Sequence, residues 1–309
     1  MEREFLRRLL PRLPAHPQMF LGPGDDAALL RMDPQSAVVV TTDMLMDGVD
    51  FILRKCDPVR IGRKSLAVNL SDLAAMAAKP IAAFISLALP CQGGAALADL
   101  IYDGILPLAK EFDVAIAGGD TNSWNGPLVI SITAIGEVQP GKEWRRSGGK
   151  LGDKILVTGS LGGSILGRHF DFSPRVNEAR YLAERYEIHA AMDVSDGLSL
   201  DLSRLAEACG LGAVLDLETI PIAQAAHVLA VQELAGGTAL EHALGDGEDF
   251  ELLLTVAPDV AAAIAKDSSL TAAVTCIGEL VAEPGLWQRS SNGDLLPLVP
   301  RGFQHEFSA

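Results

Sequence analysis

Six short segments of the sequence combine aspartates with glycine, serine or threonine, a composition suited to binding metal ions and phosphates. They are GPGDDAA (22–28), VTTD (40–43), NLSDLAAM (69–76), GGDTN (118–122), MDVSDGL (192–198) and GDGEDFEL (245–252). Taken singly, each is compatible with a structural role, because Ser-Asp pairs cap helices and Gly-Asp pairs form turns. Taken together they favour a common site, since Asp43 and Asp120 are predicted at strand ends, where α/β-type proteins collect functional groups.

The charge of such a site indicates its chemistry. Two carboxylates about 4 Å apart repel by roughly 4 kcal/mol at an effective dielectric near 20, so a cluster must bind protons or cations. The hydroxyls of Thr41 and Thr42 lie beside Asp43, and no His or Cys has the spacing of a metal ligand. Ligand sets made only of oxygen favour Mg²⁺ over Zn²⁺, and Mg²⁺ shares its coordination shell with phosphates. The sequence therefore predicts Mg²⁺-dependent phosphate chemistry.

Well-known nucleotide and nucleophile motifs are missing. The sequence has no GxxxxGK[ST] loop, no GxGxxG after a strand, no protein-kinase HRD or DFG set, and no GxSxG or Cys–His nucleophile pattern. Phosphoryl transfer through positioning and charge neutralisation remains, as its loose transition state permits. Arg145, Arg146 and Lys150 are candidate donors to nucleotide phosphates, although a solvated linker would have the same composition.

The elements predicted to position these segments are mixed strands and helices. Strands are predicted at 37–42, 81–89, 114–117, 128–135, 154–158, 213–217, 250–256 and 273–279, and helices at 58–68 (or on to 78), 95–112, 164–168, 177–186 and 198–209. The Gly- and charge-rich segment 138–153 predicts a boundary between an N-terminal domain, 1–138, and a C-terminal domain, 139–309. Strands and helices do not alternate strictly, so we predict an α+β fold in each half.

Composition excludes several classes of protein. The chain has 309 residues, enough for two domains of about 150 residues. Its formal net charge of −15 argues against binding to nucleic acid, which requires a basic surface. We expect neither a secretory signal nor a membrane span, because the N-terminus is charged and the longest uncharged stretch, 80–98, contains prolines and glycines. The four cysteines are widely separated, which predicts buried, reduced thiols and a cytoplasmic location.

In this order, the segments resemble those of the thiamine-monophosphate kinase family, within the wider group of ATP-binding synthetases related to aminoimidazole ribonucleotide synthetase. The resemblance extends from Gly22 to Phe303 and is carried by GDDAA, TTDML, AVNLSDLAAM, GGDT, ITAIGEV, RSG…GD…VTGSLG, MDVSDGLSLDL and GDGEDFEL. It implies a two-domain aminoimidazole ribonucleotide synthetase-like fold whose N-terminal domains pair into a barrel across a homodimer. It also implies that ATP and several Mg²⁺ ions bind in a cleft between the domains, near the partner subunit.

The implied reaction is transfer of the γ-phosphoryl group of ATP to thiamine monophosphate by in-line attack, giving thiamine diphosphate and ADP. The implied metal ligands are Asp26, Thr41, Thr42, Asp43, Asp72, Asp120, Asp193 and Asp196. The implied nucleotide contacts are Gly119, Asp120, Arg146 and Ser195, and the implied substrate contacts are Asp50, Glu248 and Phe303, the last by stacking on an aromatic ring. Asp43, Asp120 and Asp196 are taken as catalytic through metal binding and alignment, because an ionised phosphate acceptor needs no general base.

Two positions depart from the family pattern. Asp50 stands where the family often has His in a GxHF pattern, so it is expected either to accept a hydrogen bond from an aminopyrimidine or to join the metal ligands. Trp124 follows the GGDT segment and is expected to be either a local lid or a packed loop residue.

Three other functions remain open from the sequence. The first is another ATP-dependent synthetase of the same superfamily. A selenophosphate synthetase is disfavoured, because no Cys or Lys precedes GDD in a Gly-rich loop. The second is a non-catalytic nucleotide-binding maturation or scaffold protein, and the third is a metal-dependent phosphatase that does not use ATP.

Overall fold

The structure is a computed structural model that describes residues 2–23, 27–232, 236–290 and 292–304. The chain divides into two compact units. The N-terminal unit comprises Met1–Leu73 and Ala78–Glu143, and the C-terminal unit comprises Ala74–Ala77 and Trp144–Ala309. The domain boundary at residue 138 stays a prediction. Within the described ranges, every helix is too short or too polar to cross a lipid bilayer.

The N-terminal unit is built around a four-stranded sheet. Its elements are α1 (Glu2–Leu9), β1 (Met19–Leu21), β2 (Leu29–Leu30), β3 (Ala37–Met46), α2 (Pro58–Ala75), β4 (Lys79–Pro90), α3 (Gly94–Glu111), β5 (Ala115–Trp124) and β6 (Val129–Val138). The sheet has the order β3-β6-β4-β5, in which β4 and β5 are parallel and the other pairs are antiparallel. Strands β1 and β2 form a separate antiparallel pair. The edges of the four-stranded sheet are therefore β3 and β5.

Helix α2 is closely packed against α3. Asp57 precedes α2 and accepts the Val59 backbone N–H at 3.0 Å, which satisfies a donor of the first turn. Ile61 of α2 is completely buried. A Cβ atom added to Gly104 of α3 would lie 1.8 Å from the Val59 carbonyl oxygen, so only glycine permits this approach of the two backbones. This packing fixes α2, which carries Asp72.

The open face of the N-terminal sheet exposes several apolar side chains of β3. Alternate residues of β3 are half-buried and exposed, as expected for a strand with one covered face. The exposed set includes Val38, Val40 and Met44, whose exposed fractions are 53%, 60% and 59%. Neighbouring apolar side chains exposed to this extent are typical of an interaction surface.

The C-terminal unit contains a seven-stranded sheet. Its elements are β7 (Lys154–Thr158), α4 (Arg168–Asp171), α5 (Val176–Arg185), β8 (Ala190–Asp193), α6 (Leu198–Ala208), β9 (Gly212–Leu215), α7 (Gln224–Ala230), α8 (Ala239–Gly245), β10 (Leu252–Val256), α9 (Pro258–Ile264), β11 (Val274–Val281), β12 (Gly285–Arg289) and β13 (Leu295–Pro297). The strand order is β13-β12-β9-β11-β7-β10-β8, and only β9 and β12 among these neighbours are parallel. Its core packs Leu202 and Leu205 of α6 with Val157, Leu253 and Ile277 of the strands.

Two sequence predictions about strand ends were wrong. Strand β3 continues to Met46, so Asp43 pairs with Ile132 inside the sheet. Strand β5 continues to Trp124, so Asp120 also lies inside a strand. Both strands are sheet edges, where polar side chains meet solvent while the backbone keeps its hydrogen bonds to the neighbouring strand.

The prediction that the four cysteines are buried was wrong. Cys56, Cys91, Cys209 and Cys276 are all free thiols. Cys91 and Cys276 are exposed, because the first lies in the turn after β4 and the second lies at an irregularity in the pairing of β11.

Candidate active site

Three of the predicted metal ligands of the N-terminal unit come together at β3 and α2. Thr41 and Asp43 project from the same face of β3, because side chains alternate along a strand. The Thr41 hydroxyl donates a hydrogen bond to Oδ2 of Asp72 on α2. Burial, and then the charges of Asp72 and Asp50, raise the pKa of Asp43 to about 7. A buried carboxyl group with a raised pKa, next to other carboxylates and a hydroxyl, is an environment that a divalent cation stabilises.

The residues around Asp72 suit Mg²⁺, which keeps part of its water shell, better than a metal ion coordinated only by protein side chains. Within the described ranges, no group of three His, Cys, Asp or Glu side chains is arranged to hold a metal ion. Mg²⁺ needs fewer protein ligands, because it keeps several waters and is commonly held by one or two carboxylates and substrate phosphates. The Thr41 hydroxyl and the Asp72 carboxylate are oxygen ligands of this kind.

Thr42 and Asp50 are placed differently from Thr41. The Thr42 hydroxyl lies on the opposite face of β3 and donates to the Ile132 carbonyl oxygen at 3.1 Å. Oδ2 of Asp50 accepts the Met46 backbone N–H at 2.7 Å, which closes the turn after β3. The structure therefore does not bring the Thr42 hydroxyl to Asp72, and it links Asp50 to Asp43 through charge.

Gly119 and Asp120 lie on the other edge strand, β5. Asp120 is exposed, and its Oδ1 accepts the Thr121 backbone N–H at 2.9 Å. A Cβ atom added to Gly119 would lie 1.8 Å from the Ile85 carbonyl oxygen, and the φ angle of Gly119 is +154°. Both residues line a cavity of about 800 Å³ in the N-terminal unit, together with Tyr102.

The structure of the N-terminal unit does not bring Asp120 next to Asp43. Three strand spacings of about 4.8 Å separate β3 from β5, a distance of roughly 14 Å. Asp26, the remaining predicted metal ligand of this half, lies outside the described residues.

In the C-terminal unit, a buried carboxylate organises the loop between β8 and α6. Oδ2 of Asp201 accepts the backbone N–H groups of Ser195, Asp196 and Gly197 at 3.1, 2.9 and 3.1 Å. Arg204 donates hydrogen bonds to the carboxylates of both Asp196 and Asp201. Burial raises the pKa of Asp201 to about 6, although its backbone hydrogen bonds oppose the rise. This loop follows directly from the buried end of β8, where Asp193 lies.

Asp201 is a site residue that sequence reasoning missed. It is completely buried in the first turn of α6 and touches each residue of the Ser195–Asp196–Gly197 loop. The signal was present in the MDVSDGLSLDL segment, because an acidic residue in a first helical turn is suited to accept N–H groups from the preceding loop.

The predicted substrate residues of this unit gather around the same loop. The Glu248 backbone N–H donates to the Ser195 carbonyl oxygen at 2.6 Å. The Phe303 backbone N–H donates to the Asp196 carbonyl oxygen at 2.9 Å, and 52% of Phe303 is exposed. Glu248 is half-buried. Thus residues predicted to bind nucleotide, metal and substrate come together in one loop cluster.

Arg146 lies beside β8. Its carbonyl oxygen accepts a hydrogen bond from the Cys209 thiol at 3.3 Å, and the Arg145 carbonyl oxygen accepts the Ala191 N–H at 2.8 Å. The Arg146 side chain is exposed, so it is accessible to an anion. Trp124 ends β5, and its indole N–H donates to the Pro127 carbonyl oxygen at 3.0 Å. Its two expected roles, a local lid or a packed loop residue, stay predictions.

The chain is similar to known proteins over almost its whole length. Two family models match: AIR synthase related protein, N-terminal domain, over residues 24–138, and AIR synthase related protein, C-terminal domain, over residues 150–286. The thiamine-monophosphate kinase of Rhodopirellula baltica is 46% identical over 312 residues, covering 99% of this chain and 97% of the relative.

Two solved structures have the same fold. The crystal structure of thiamine-monophosphate kinase from Stenotrophomonas maltophilia K279a has a TM-score of 0.77 and 34% identity, covering 95% of this chain and 96% of that chain. AaThiL complexed with AMPPCP and TMP has a TM-score of 0.77 and 26% identity, covering 98% of this chain and 95% of that chain. These matches confirm the two-domain α+β fold and the resemblance predicted from the motifs. The chain belongs to the thiamine-monophosphate kinase family, within the group of AIR synthase related proteins.

Proposed function

We propose that the protein is an Mg²⁺-dependent kinase that transfers the γ-phosphoryl group of ATP to thiamine monophosphate, forming thiamine diphosphate and ADP. The observation that carries this proposal is the loop cluster of Ser195, Asp196, Glu248 and Phe303, in a chain that shares 46% of its residues with a thiamine-monophosphate kinase over almost its full length. AaThiL binds AMPPCP and TMP, a pair of ligands that such a reaction requires.

The aspartates are proposed to hold Mg²⁺. Asp43 and Asp72, with the Thr41 hydroxyl, would bind it in the N-terminal unit, and Asp193 and Asp196 would bind it in the C-terminal unit. When bound, Mg²⁺ neutralises the charge of the phosphates during phosphoryl transfer. Asp26 and Asp120 complete the proposed set of ligands, and Thr42 is left out of it because its hydroxyl lies on the opposite face of β3.

The remaining residues are proposed to position the two substrates. The nucleotide would be contacted by Gly119, Asp120, Arg146 and Ser195. The half-buried Glu248 carboxylate can accept a hydrogen bond from an amino group, and the exposed ring of Phe303 can stack on an aromatic ring. An ionised oxygen of the acceptor phosphate forms the new bond to the γ-phosphorus as the bond to ADP breaks, so alignment of the two substrates is the main task of the protein.

Asp50 is still proposed to contact the substrate, although one of its carboxylate oxygens already accepts a backbone hydrogen bond. Its Oδ2 is engaged by the Met46 N–H, and a carboxylate can accept further hydrogen bonds. We therefore propose that Asp50 orients the acceptor through its remaining accepting capacity.

We also infer a homodimer in which a second copy covers the open face of the N-terminal sheet. Val38, Val40 and Met44 expose more than half of their surface there. Complete burial of such a side chain contributes about 1.5–3 kcal/mol, so covering the exposed half of each contributes roughly 1–2 kcal/mol. Light scattering after size exclusion should find a dimer for the wild-type protein and a monomer for Val40→Lys. A monomeric wild-type protein at micromolar concentration would contradict this inference. A cytoplasmic location stays a prediction based on the free cysteines.

The test of the proposed function is an assay with ATP, MgCl₂ and thiamine monophosphate that follows thiamine diphosphate and ADP together. We expect equal amounts of the two products, and loss of both after chelation or in Asp43→Asn and Asp120→Asn. Glu111→Gln, at an exposed position of α3, is the matched charge-removing control and should retain activity. Unchanged thiamine monophosphate in the presence of bound ATP would refute the acceptor. Release of phosphate without ATP would identify a phosphatase.

A further inference from the structure

In the C-terminal unit, side chains of residues 168–175 contact side chains of residues 248–251. Nε and Nη2 of Arg175 donate to the two carboxylate oxygens of Glu251 at 2.7 and 2.8 Å, and Arg168 donates to the same carboxylate. Phe172 stacks on Phe250 with ring centroids 4.2 Å apart and an interplanar angle of 16°. Because Glu251 is 1% exposed, these contacts are buried and hold the two segments together.

This contact supports an unusual backbone conformation. Glu248 and Phe250 have φ angles of +55° and +50°, in the left-handed region that non-glycine residues rarely adopt. Such conformations cost on the order of 1–3 kcal/mol each and persist where the surroundings impose them. The Asp249 carboxylate, between them, accepts the Gly162 N–H at 3.0 and 2.9 Å. The loop therefore presents Glu248 in one defined orientation.

His169 is the member of residues 168–175 that contacts the Glu248 side chain. It is 4% exposed, and its Nδ1 lies 3.1 Å from Oε2 of Glu248. A carboxylate oxygen only accepts, so this close contact is favourable when Nδ1 of His169 carries a proton. The side chain of Glu248 is 33% exposed, and a carboxylate has accepting capacity on both oxygens. Oε1 can therefore meet a ligand while Oε2 is held.

We propose that His169 is a positioning residue, which holds Oε2 of Glu248 so that Oε1 accepts a hydrogen bond from the exocyclic amino group of an aminopyrimidine. The inference rests on the proposed function, because it places the pyrimidine ring of thiamine monophosphate against Glu248. The His169–Glu248 pair would then also determine the preference for a substrate with an amino group over one with an oxo group. A site built to accept an amino hydrogen bond rejects an analogue that presents an oxygen at that position, because two acceptors then face each other.

The test compares thiamine monophosphate with oxythiamine monophosphate, in which an oxo group replaces the amino group. His169→Leu removes the donor at similar volume, and His169→Asn retains a side-chain N–H close to the position of Nδ1. For His169→Leu we expect KM for thiamine monophosphate to rise about tenfold, and the preference for the amino substrate to fall about tenfold, which is ~1.4 kcal/mol. KM for ATP should stay within about twofold. His169→Asn should retain most of the preference.

The outcomes separate this inference from the proposed function. If the wild-type protein does not convert thiamine monophosphate, the proposed function fails. If it does, and His169→Leu keeps the wild-type KM and preference, the role of His169 is refuted. Equal loss of preference in the Leu and Asn variants would also refute it, because a purely structural contact gives that result. If His169→Leu does not fold, His169→Phe takes its place, because it keeps an aromatic ring beside Phe170 and lacks a donor. The same loss of preference is expected, and retention of the preference would refute the proposal.

Discussion

Replacement of Asp43 by asparagine is expected to stabilise the protein against unfolding when divalent cations are removed. The pKa of Asp43 is raised from 3.8 to about 7 by burial and by the charges of Asp72 and Asp50. Between these two pH values the folded state binds a proton that the unfolded state has released, so the free energy of unfolding falls as pH rises through this window. Above pH 7 the wild-type protein carries a crowded charge that the amide variant lacks.

The expected size of the effect follows from the shift in pKa. A rise from 3.8 to about 7 is about three pKa units. At ~1.36 kcal/mol for each unit, the upper limit is about 4 kcal/mol. Asp43 is only half-buried by accessible surface, so solvent screens part of this repulsion, and we expect about 1–3 kcal/mol at pH 8. For the N-terminal unit, which has about 140 residues, this gain in the free energy of unfolding corresponds to a rise of roughly 3–10 °C in Tm.

Thermal unfolding of the wild-type protein, Asp43→Asn and the control Glu111→Gln, in EDTA at pH 5 and pH 8, measures this effect. The Tm of Asp43→Asn should exceed that of the wild type at pH 8, and the difference should shrink at pH 5. Excess MgCl₂ at pH 8 should raise the Tm of the wild type and of Glu111→Gln more than that of Asp43→Asn. Equal or lower stability of Asp43→Asn at pH 8 in EDTA would refute the reasoning, because it would mean that the carboxylate is not under electrostatic strain.

Three further predictions concern the framework of the site. Gly119→Ala should lower the free energy of unfolding by more than about 2 kcal/mol in chemical denaturation, because its Cβ would lie 1.8 Å from the Ile85 carbonyl oxygen. Asp201→Ala should cost about 2–4 kcal/mol in the same measurement, since three loop N–H groups lose their acceptor, and it should weaken nucleotide binding measured by calorimetry. Arg175→Met should cost about 2 kcal/mol or more, because Glu251 is a buried charge that loses two hydrogen bonds. A stable Gly119→Ala variant would contradict the close approach of β5 to β4. Unchanged nucleotide binding by Asp201→Ala would contradict the role of the loop, and a neutral Arg175→Met would show that Glu251 is neutralised by other means.

The candidate aspartates could be identified from the sequence, and the long helices and strands could be predicted from their hydrophobic periodicity. Helix α3 was predicted at 95–112 and is Gly94–Glu111, because an amphipathic pattern of five turns is a strong local signal. Strand β6 was predicted at 128–135 and is Val129–Val138. The family was predicted correctly from the order of the motifs, which needs no knowledge of contacts.

The rest depended on contacts between distant residues. The register of β3 on β6 puts Asp43 inside the sheet and Thr42 on the open face, and no local pattern contains this register. His169 and Glu248 are far apart in the chain, so their contact could not be read from spacing. Asp201 had a local signal, but its three hydrogen bonds depend on the path of the preceding loop.

The contact between residues 168–175 and 248–251 has a consequence for the order of folding. Arg168 precedes Glu251 by 83 residues. At a synthesis rate of about 5–20 residues per second, its partner follows it by roughly 4–17 s. During that interval Arg168 and Arg175 lack the Glu251 carboxylate to which both donate in the folded protein. Strands such as β7 and β8 are made well before β10, which pairs with both of them. The Glu248 loop is consequently assembled late, together with β10, which pairs with β7 on one side and β8 on the other, and a chain released before residue 251 would lack this part of the site altogether.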